Sequence, residues 1–453
     1  MMRISSLSAD TIDYILTSLT DFKSLASVLL ASKSVYGVYS TRPTSIKRAV
    51  AYNVVGPALP QALRLVRCDR QEMKQLPAGE LPGEDELEKN PCLSSDDIRG
   101  LVKISEQAQE LEDIFSWREK DHAFRTSRLS AIESYRFQRA LFRICLAASV
   151  YSLSSLLEEV MDGDPEVEYL GEESLEMRQE FFDTFSTLDL KEISRVGAFL
   201  QHLATWSANA YSNSDYADIF LSNQSLLDVI LGIYRDKPPS TYNVLDSDDL
   251  PDIYASFLSS PLDHILSKRK QSGHNREAVL LTSTPETNLE CDQCQCNVST
   301  RKFLWGPADW EYLRGYVTPD RVCMLLQGQL PRNFSETSTT FRAVWTQHRY
   351  EVLISEVFDC MTAEYGDWKR ENLLCLRCLC LFLRDHLHIW YMQRNQNSGI
   401  VGIITKENCW YGYNCRTQTH NYEHSSKLNH WCEPTGGDPA PSFHLPVPSE
   451  TNF

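Results

Sequence analysis

Apolar residues recur at helical rather than strand spacing along most of the chain. Ile12, Ile15, Leu16 and Leu19 fall at i, i+3, i+4 and i+7 behind Ser8, a residue suited to capping a helix. Asp21 opens a second run carrying Leu25, Val28, Leu29 and Val35, which Arg42-Pro43 is expected to end. Residues 7–39 therefore hold more apolar surface than two short helices can hide against each other, and some of it needs a partner, in cis or in trans. Leu101, Ile104, Leu111 and Phe115 predict a further amphipathic helix. Ser130-Ala-Ile-Glu133 is a capping box opening the next, which carries Ile132, Tyr135, Leu141, Ile144 and Ala148. A Gly/Asp/Glu-rich break over 162–175 precedes helices around 176–212 and 223–234.

The breaks in this pattern divide the chain. The expected organisation is a helical module over 1–60, a Glu/Pro/Gly-rich linker over 61–98, a helical domain over 99–265, a polar linker over 266–290, a metal-binding domain over 291–435 and a disordered tail over 436–453. The fold class is mostly α, with the C-terminal α-rich domain stabilised by zinc.

Charge narrows the partners. Residues 1–290 carry 29 Lys and Arg against 44 Asp and Glu, whereas 291–453 carry 15 against 17. An acidic body argues against the phosphate backbone of nucleic acid as a general partner. The N-terminal residues contain no apolar segment of signal-peptide length, and Ala140–Leu157 is too short and too polar to cross a bilayer. An intracellular protein of the cytoplasm or nucleus, with no membrane partner, is expected. In a reducing compartment, paired cysteines more often bind metal than form disulfides.

Cysteine placement gives the sharpest chemistry. Eleven of fourteen cysteines follow residue 290. Cys291-Asp-Gln-Cys294 and Cys375-Leu-Arg-Cys378 are two CxxC knuckles separated by 80 residues, an insert with helix patterns of its own around 341–361. Each knuckle aims two thiolates at one point, and two of them complete a closed structural zinc site. Cys296 and Cys380 offer a competing register. Farther on, Cys409, Cys415, His420, His424, His430 and Cys432 supply six candidate ligands within 24 residues. The preferred set is Cys409, Cys415, His424 and His430, with His420 and Cys432 as alternatives. About two structural zinc ions are expected. The segment has no His-Glu-x-x-His pairing that would suggest catalytic zinc, so no enzymatic activity is expected.

Two resemblances add expectations. Leu7-Ser-Ala-Asp-Thr-Ile-Asp-Tyr-Ile15-Leu16-Thr-Ser-Leu19, with Ser24-Leu25 and Ala31-Ser32-Lys33-Ser34-Val35-Tyr36, resembles an F-box, matching at Leu7, Ile12, Ile15, Leu16, Leu19, Leu25 and Val28. The usual Leu-Pro opening is Leu7-Ser8 here. The resemblance implies that these residues dock onto the Skp-type adaptor of a cullin ubiquitin ligase, with the C-terminal domain recognising an unknown protein client. Cys409-Trp-Tyr-Gly-Tyr-Asn-Cys415 followed by His424 and His430 resembles the poly(ADP-ribose)-binding zinc finger, though its spacer after Cys415 is about two residues longer than that family's. This implies a different-class alternative, a reader of ADP-ribose or another nucleotide-like ligand, using Trp410, Tyr411, Tyr413 and Arg416. Most of the chain resembles a family of fungal F-box-like proteins.

Overall fold

The computed structural model describes residues 7–68, 83–84, 92–120, 127–151, 167–211, 225–234, 257–271, 279–282, 289–298, 304–310, 313, 317, 319–335, 341, 345, 349–397 and 406–436. The chain is mostly helical and divides into two units, one of residues 1–205 and 215–284, the other of 206–214 and 285–453. The segments expected to form one helical module and a separate helical middle domain thus fall in a single unit. Among the described residues, no helix is long and apolar enough to cross a membrane.

In the first unit, α1 (Ala9–Thr17) begins where Ser8 accepts a hydrogen bond from the Thr11 amide, and α2 (Phe22–Ala31) where Asp21 accepts from the Ser24 amide. The second helical run is not continuous. Ser32 is extended (φ −151°, ψ 123°) and separates α2 from α3 (Lys33–Thr41). α3 ends at Arg42 as expected, and Pro43 at once starts α4 (Pro43–Val55), because proline at the first helical position gives up an amide that has no partner there anyway. Ile12, Leu16, Leu25, Val35, Ile46 and Val50 form the buried core of these four helices, with Leu7, Leu19 and Val28 packed at its edge. Ile12, Leu16 and Leu25, expected on a docking face, are therefore interior. Ile15 is exposed, together with Tyr14, Leu30 and Tyr36.

α5 (Leu59–Cys68) occupies residues expected to be linker, and α6 (Ser95–Glu119) starts before the expected domain boundary. Residues 69–82 and 85–91 of that linker lie outside the described residues. α7 (Ala131–Val150) opens on the capping box legible in the sequence: Ser130 Oγ accepts from the Glu133 amide, and Glu133 accepts from the Ser130 amide. α5 packs on α6 and α7, and α6 on α4. α8 (Val167–Asp183), α9 (Thr187–Tyr211), α10 (Leu226–Tyr234) and α11 (Ser259–Lys268) follow, with α8 against α11. α8 begins inside the stretch expected to be a break, and α11 runs into the stretch expected to be the second linker. A polar seam runs through this unit. Arg143 bonds Glu84 and Asp189, and Arg139 bonds Glu192 and Asp189.

The second unit is built around α14 (Leu376–Asn397), whose Leu379, Phe382, Leu383, Leu387 and Trp390 are buried at helical spacing. α13 (Tyr350–Phe358) packs on it, stacking Phe358 against Phe382 with ring centroids 4.2 Å apart. Strands are short. β1 (Leu289–Glu290) pairs with β2 (Asn297–Val298), and β3 (Leu304–Trp305) with β4 (Leu374–Cys375), both antiparallel. The second pair matters most for the site, because it brings Leu304 opposite Cys375 at the entrance to α14. α12 (Pro319–Met324) and α15 (Tyr422–Lys427) complete the unit. The tail expected over 436–453 lies, except for Gly436, outside the described residues.

Candidate metal centres

The first centre joins two knuckles far apart in sequence, with Cys294 Sγ 3.7 Å from Cys375 Sγ across 81 positions. The hairpin of β1 and β2 carries the first. The Gln295 amide bonds Cys291 O at 2.9 Å, and Gln295 adopts a positive φ of 52°, which curls the backbone around the thiol pair. Asp292 ties this turn to the second knuckle: its Oδ2 accepts from the Leu373 amide at 2.7 Å and from Asn372 Nδ2 at 3.1 Å. The Cys375 amide then donates to Cys291 Sγ at 3.2 Å. One ligand atom each from Cys291, Cys294, Cys375 and Cys378 lies within 4.8 Å of the others.

The second centre is a compact loop and helix. Asn408 and Asn429 form a bridge, and the Cys409 amide bonds Asn429 O, so the strand entering the loop is held beside the strand leaving it. Gly412 sits at φ +44°, where a Cβ would meet the Cys432 carbonyl at 2.2 Å. Only glycine fits that turn. It lets the Cys415 amide reach back to Gly412 O and aims Cys415 inward beside Cys409. Asn421 caps α15 by accepting from the His424 amide at 3.0 Å, which positions the His424 ring. Trp431 packs on Tyr391 of α14, with centroids 4.4 Å apart, and fixes the adjoining His430. Cys409, Cys415, His424 and His430 bring four ligand atoms within 4.8 Å of one another.

Both sets suit a tetrahedral metal. Ligand atoms at zinc–sulfur and zinc–nitrogen bond lengths are separated from one another by roughly 3.3–3.8 Å along the edges of the tetrahedron. Cys294 Sγ and Cys375 Sγ are 3.7 Å apart, Cys409 Sγ and His424 Nε2 3.7 Å, and Cys415 Sγ and His424 Nε2 3.3 Å. The thiols are free, with no disulfide among the described residues. His430 is almost wholly buried, with the Leu428 backbone near its ring, yet among the described residues neither ring nitrogen makes a well-formed hydrogen bond, a costly state that a metal bond would relieve. Burial also pushes His430 down to about 4, keeping the imidazole neutral, as ligation requires. Burial pushes the metal-free thiols of Cys409 and Cys378 up to about 11 and about 12, so a bound cation would be what ionises them. The structure thus assembles two clusters able to hold metal ions.

The four residues left as alternatives stand outside both sets. His420 is exposed and contacts Thr419 Oγ1, and the Cys432 thiol donates to the Asn429 and Cys409 carbonyls. Cys296 is exposed, and Cys380 packs at the edge of the core on α14. Asp292, Asn372 and Asn421 have no signature in the sequence, because a residue that orients a ligand through its neighbour leaves no spacing pattern. Only the Tyr411-Gly412 dipeptide between the cysteines hinted at the turn. No protein-family model, curated relative or solved structure matches the chain.

Proposed function

We infer that this chain is a non-catalytic receptor subunit of a cullin-type ubiquitin ligase. Its N-terminal helices would dock onto a Skp-type adaptor, and its C-terminal unit, folded around two structural zinc ions, would present a surface to a protein client. The observation that carries this reading is the apolar surface left on the first three helices. Tyr14, Ile15, Leu30 and Tyr36 remain exposed on a four-helix module that already encloses its own core. The C-terminal centres favour a binding role over catalysis, since each gathers four protein ligands and leaves no position for water.

Interior placement of Leu16 changes which substitution is diagnostic. Ile15→Asp should leave the helical content intact and abolish co-purification of adaptor and cullin, because an unpaired charge buried in the interface costs several kcal/mol, on the order of 3–5. Leu16→Asp should unfold the module instead. Quantitative affinity purification of the full chain decides between the readings. Unchanged adaptor recovery with Ile15→Asp, or none with the unmodified chain, rejects the docking face.

A second reading, a finger that binds ADP-ribose or a related nucleotide, is favoured by the exposure of Trp410, Tyr411 and Arg416 around the Cys409–Cys415 loop. Exposed rings can stack adenine, and a guanidinium can pair with phosphate. Binding of poly(ADP-ribose) lost on Trp410→Ala, with no adaptor recovered, would make it the better reading.

A further inference from the structure

Cys296 stands outside the four-cysteine set, yet it is built into the same turn. Its carbonyl accepts from the Cys291 amide at 3.1 Å, which closes the first knuckle from its far end. Its thiol lies within hydrogen-bonding reach of two ligand sulfurs, those of Cys294 and Cys375. Those two sulfurs are themselves 3.7 Å apart. A fifth sulfur therefore sits against the Cys294–Cys375 pair. A closed tetrahedral site takes four ligands, and Cys296 is exposed, so neither ligation nor core packing accounts for a cysteine there.

Exposure divides the ligands. Cys291, Cys375 and Cys378 are buried, whereas Cys294 is exposed beside Cys296. A metal-bound sulfur is held as the nucleophilic thiolate, so Cys294 is the ligand that an oxidant in solvent meets first. The backbone lets the two cysteines join. Two residues of extended chain span about 6.6 Å, near the outer limit for Cα atoms bridged by a disulfide. Gln295 between them is in the left-handed region, at φ 52°, and curls the chain so that its neighbours draw together. The second centre lacks this arrangement. Cys409 and Cys415 are both buried, and the nearby Cys432 thiol is turned to the Asn429 and Cys409 carbonyls.

We propose that Cys294 and Cys296 form a peroxide-sensitive modification site, in which Cys296 is the resolving thiol that closes a disulfide and opens the centre. The proposal rests on the first centre holding zinc. The Cys294 thiolate attacks one oxygen of hydrogen peroxide. An S–O bond forms, the O–O bond breaks and hydroxide leaves, which oxidises the sulfur by two electrons to a sulfenic acid. The Cys296 sulfur then attacks the Cys294 sulfur. An S–S bond forms, the S–O bond breaks, and the Cys296 proton departs with the hydroxyl as water. Peroxide is thus reduced to one hydroxide and one water, and only three of the four ligands remain to hold the metal. A thiol reductant reverses the disulfide, so the centre can reload.

Full-length, zinc-loaded protein is to be treated with hydrogen peroxide while released zinc is followed with a chromogenic chelator. About one of two equivalents should leave. Mass spectrometry of the alkylated protein should find Cys294 linked to Cys296, and dithiothreitol with added zinc should restore the lost equivalent. Cys296→Ser keeps all four ligands and should start with the same zinc content. Its Cys294 should pass instead to sulfinic acid, and the lost equivalent should not return on reduction. A Cys294–Cys375 disulfide in the unmodified protein, full zinc recovery in Cys296→Ser, or release of both equivalents together would overturn the proposal. If Cys291→Ser starts with as much zinc as the unmodified protein, the zinc reading of the centre fails before any peroxide is added, and the proposal with it.

Discussion

At the scale of single residues, the C-terminal finger turns on positions where one atom decides the geometry. A methyl group at Gly412 would fall 2.2 Å from the Cys432 carbonyl, and the φ of +44° is one that side-chain-bearing residues rarely adopt. Gly412→Ala should therefore cost about 1–3 kcal/mol in the finger. Limited proteolysis should find the 406–436 segment cut faster than in the unmodified protein. Equal protection would mean that the turn relaxes without cost. The histidines divide equally clearly. His424→Ala and His430→Ala should each remove about one equivalent of metal by elemental analysis, whereas His420→Ala and Cys432→Ser should remove none, since His420 is exposed and Cys432 is bonded to backbone carbonyls. Loss of metal with Cys432→Ser and retention with His430→Ala would give a three-cysteine, one-histidine set and detach the finger from its poly(ADP-ribose)-binding resemblance. The spacing of cysteines and histidines pointed to these residues because metal ligation constrains residue type directly. Asp292 and Asn421 act through amides that any residue supplies, so composition carries no trace of them.

At the scale of elements, Glu133 joins a helix start to a distant segment. Its carboxylate accepts from the Ser130 amide, from the Thr282 amide and hydroxyl at 2.8 and 2.7 Å, and from Lys120. Burial alone would raise its proton affinity, but these bonds outweigh burial and hold it down at about 2, against an ordinary 4.5. A depressed carboxyl contributes stability that is fully present above the unfolded-state value and is lost as pH falls toward the folded one. Between pH 4.5 and 2 this side chain should thus give up about 3 kcal/mol. Glu133→Gln should be less stable to urea than the unmodified protein at pH 7, and the two should converge near pH 2. A constant difference across that range would show that the charge is not what the cap uses. The Ser130–Glu133 capping box was legible because it is local, and so were the start of α1 and the apolar spacing of α6. The break at Ser32 was not, since the apolar repeat runs on across α2 and α3 without a glycine or proline to mark it. Pro43 marked the end of α3 correctly but not the start of α4, since proline stops one helix and starts another equally well.

At the scale of the molecule, the chain's tryptophans and its candidate metal ligands concentrate in the same unit. The first unit holds its helices together through apolar packing and the Arg139–Arg143 seam, with no cluster of metal ligands among its described residues. In the second, strands of two residues each and long connections leave the core of Trp310, Trp345, Trp390 and Trp431 dependent on cross-links between distant positions. Metal binding at such places contributes directly to folding free energy. Removing metal should consequently unfold one unit and spare the other, and the tryptophans make the two distinguishable: of nine, only Trp117 belongs to the first unit. Treatment with a strong chelator should shift tryptophan emission to the red and release about two equivalents of metal. The far-ultraviolet helical signal should meanwhile fall only by the share of α12 to α15. Cys375→Ser should reproduce the emission change without chelator, because Cys375 is both a candidate ligand and the strand residue paired with Leu304. Unchanged emission after complete metal release would mean that the aromatic core carries the fold unaided, and simultaneous loss of the whole helical signal would mean that the first unit depends on the second.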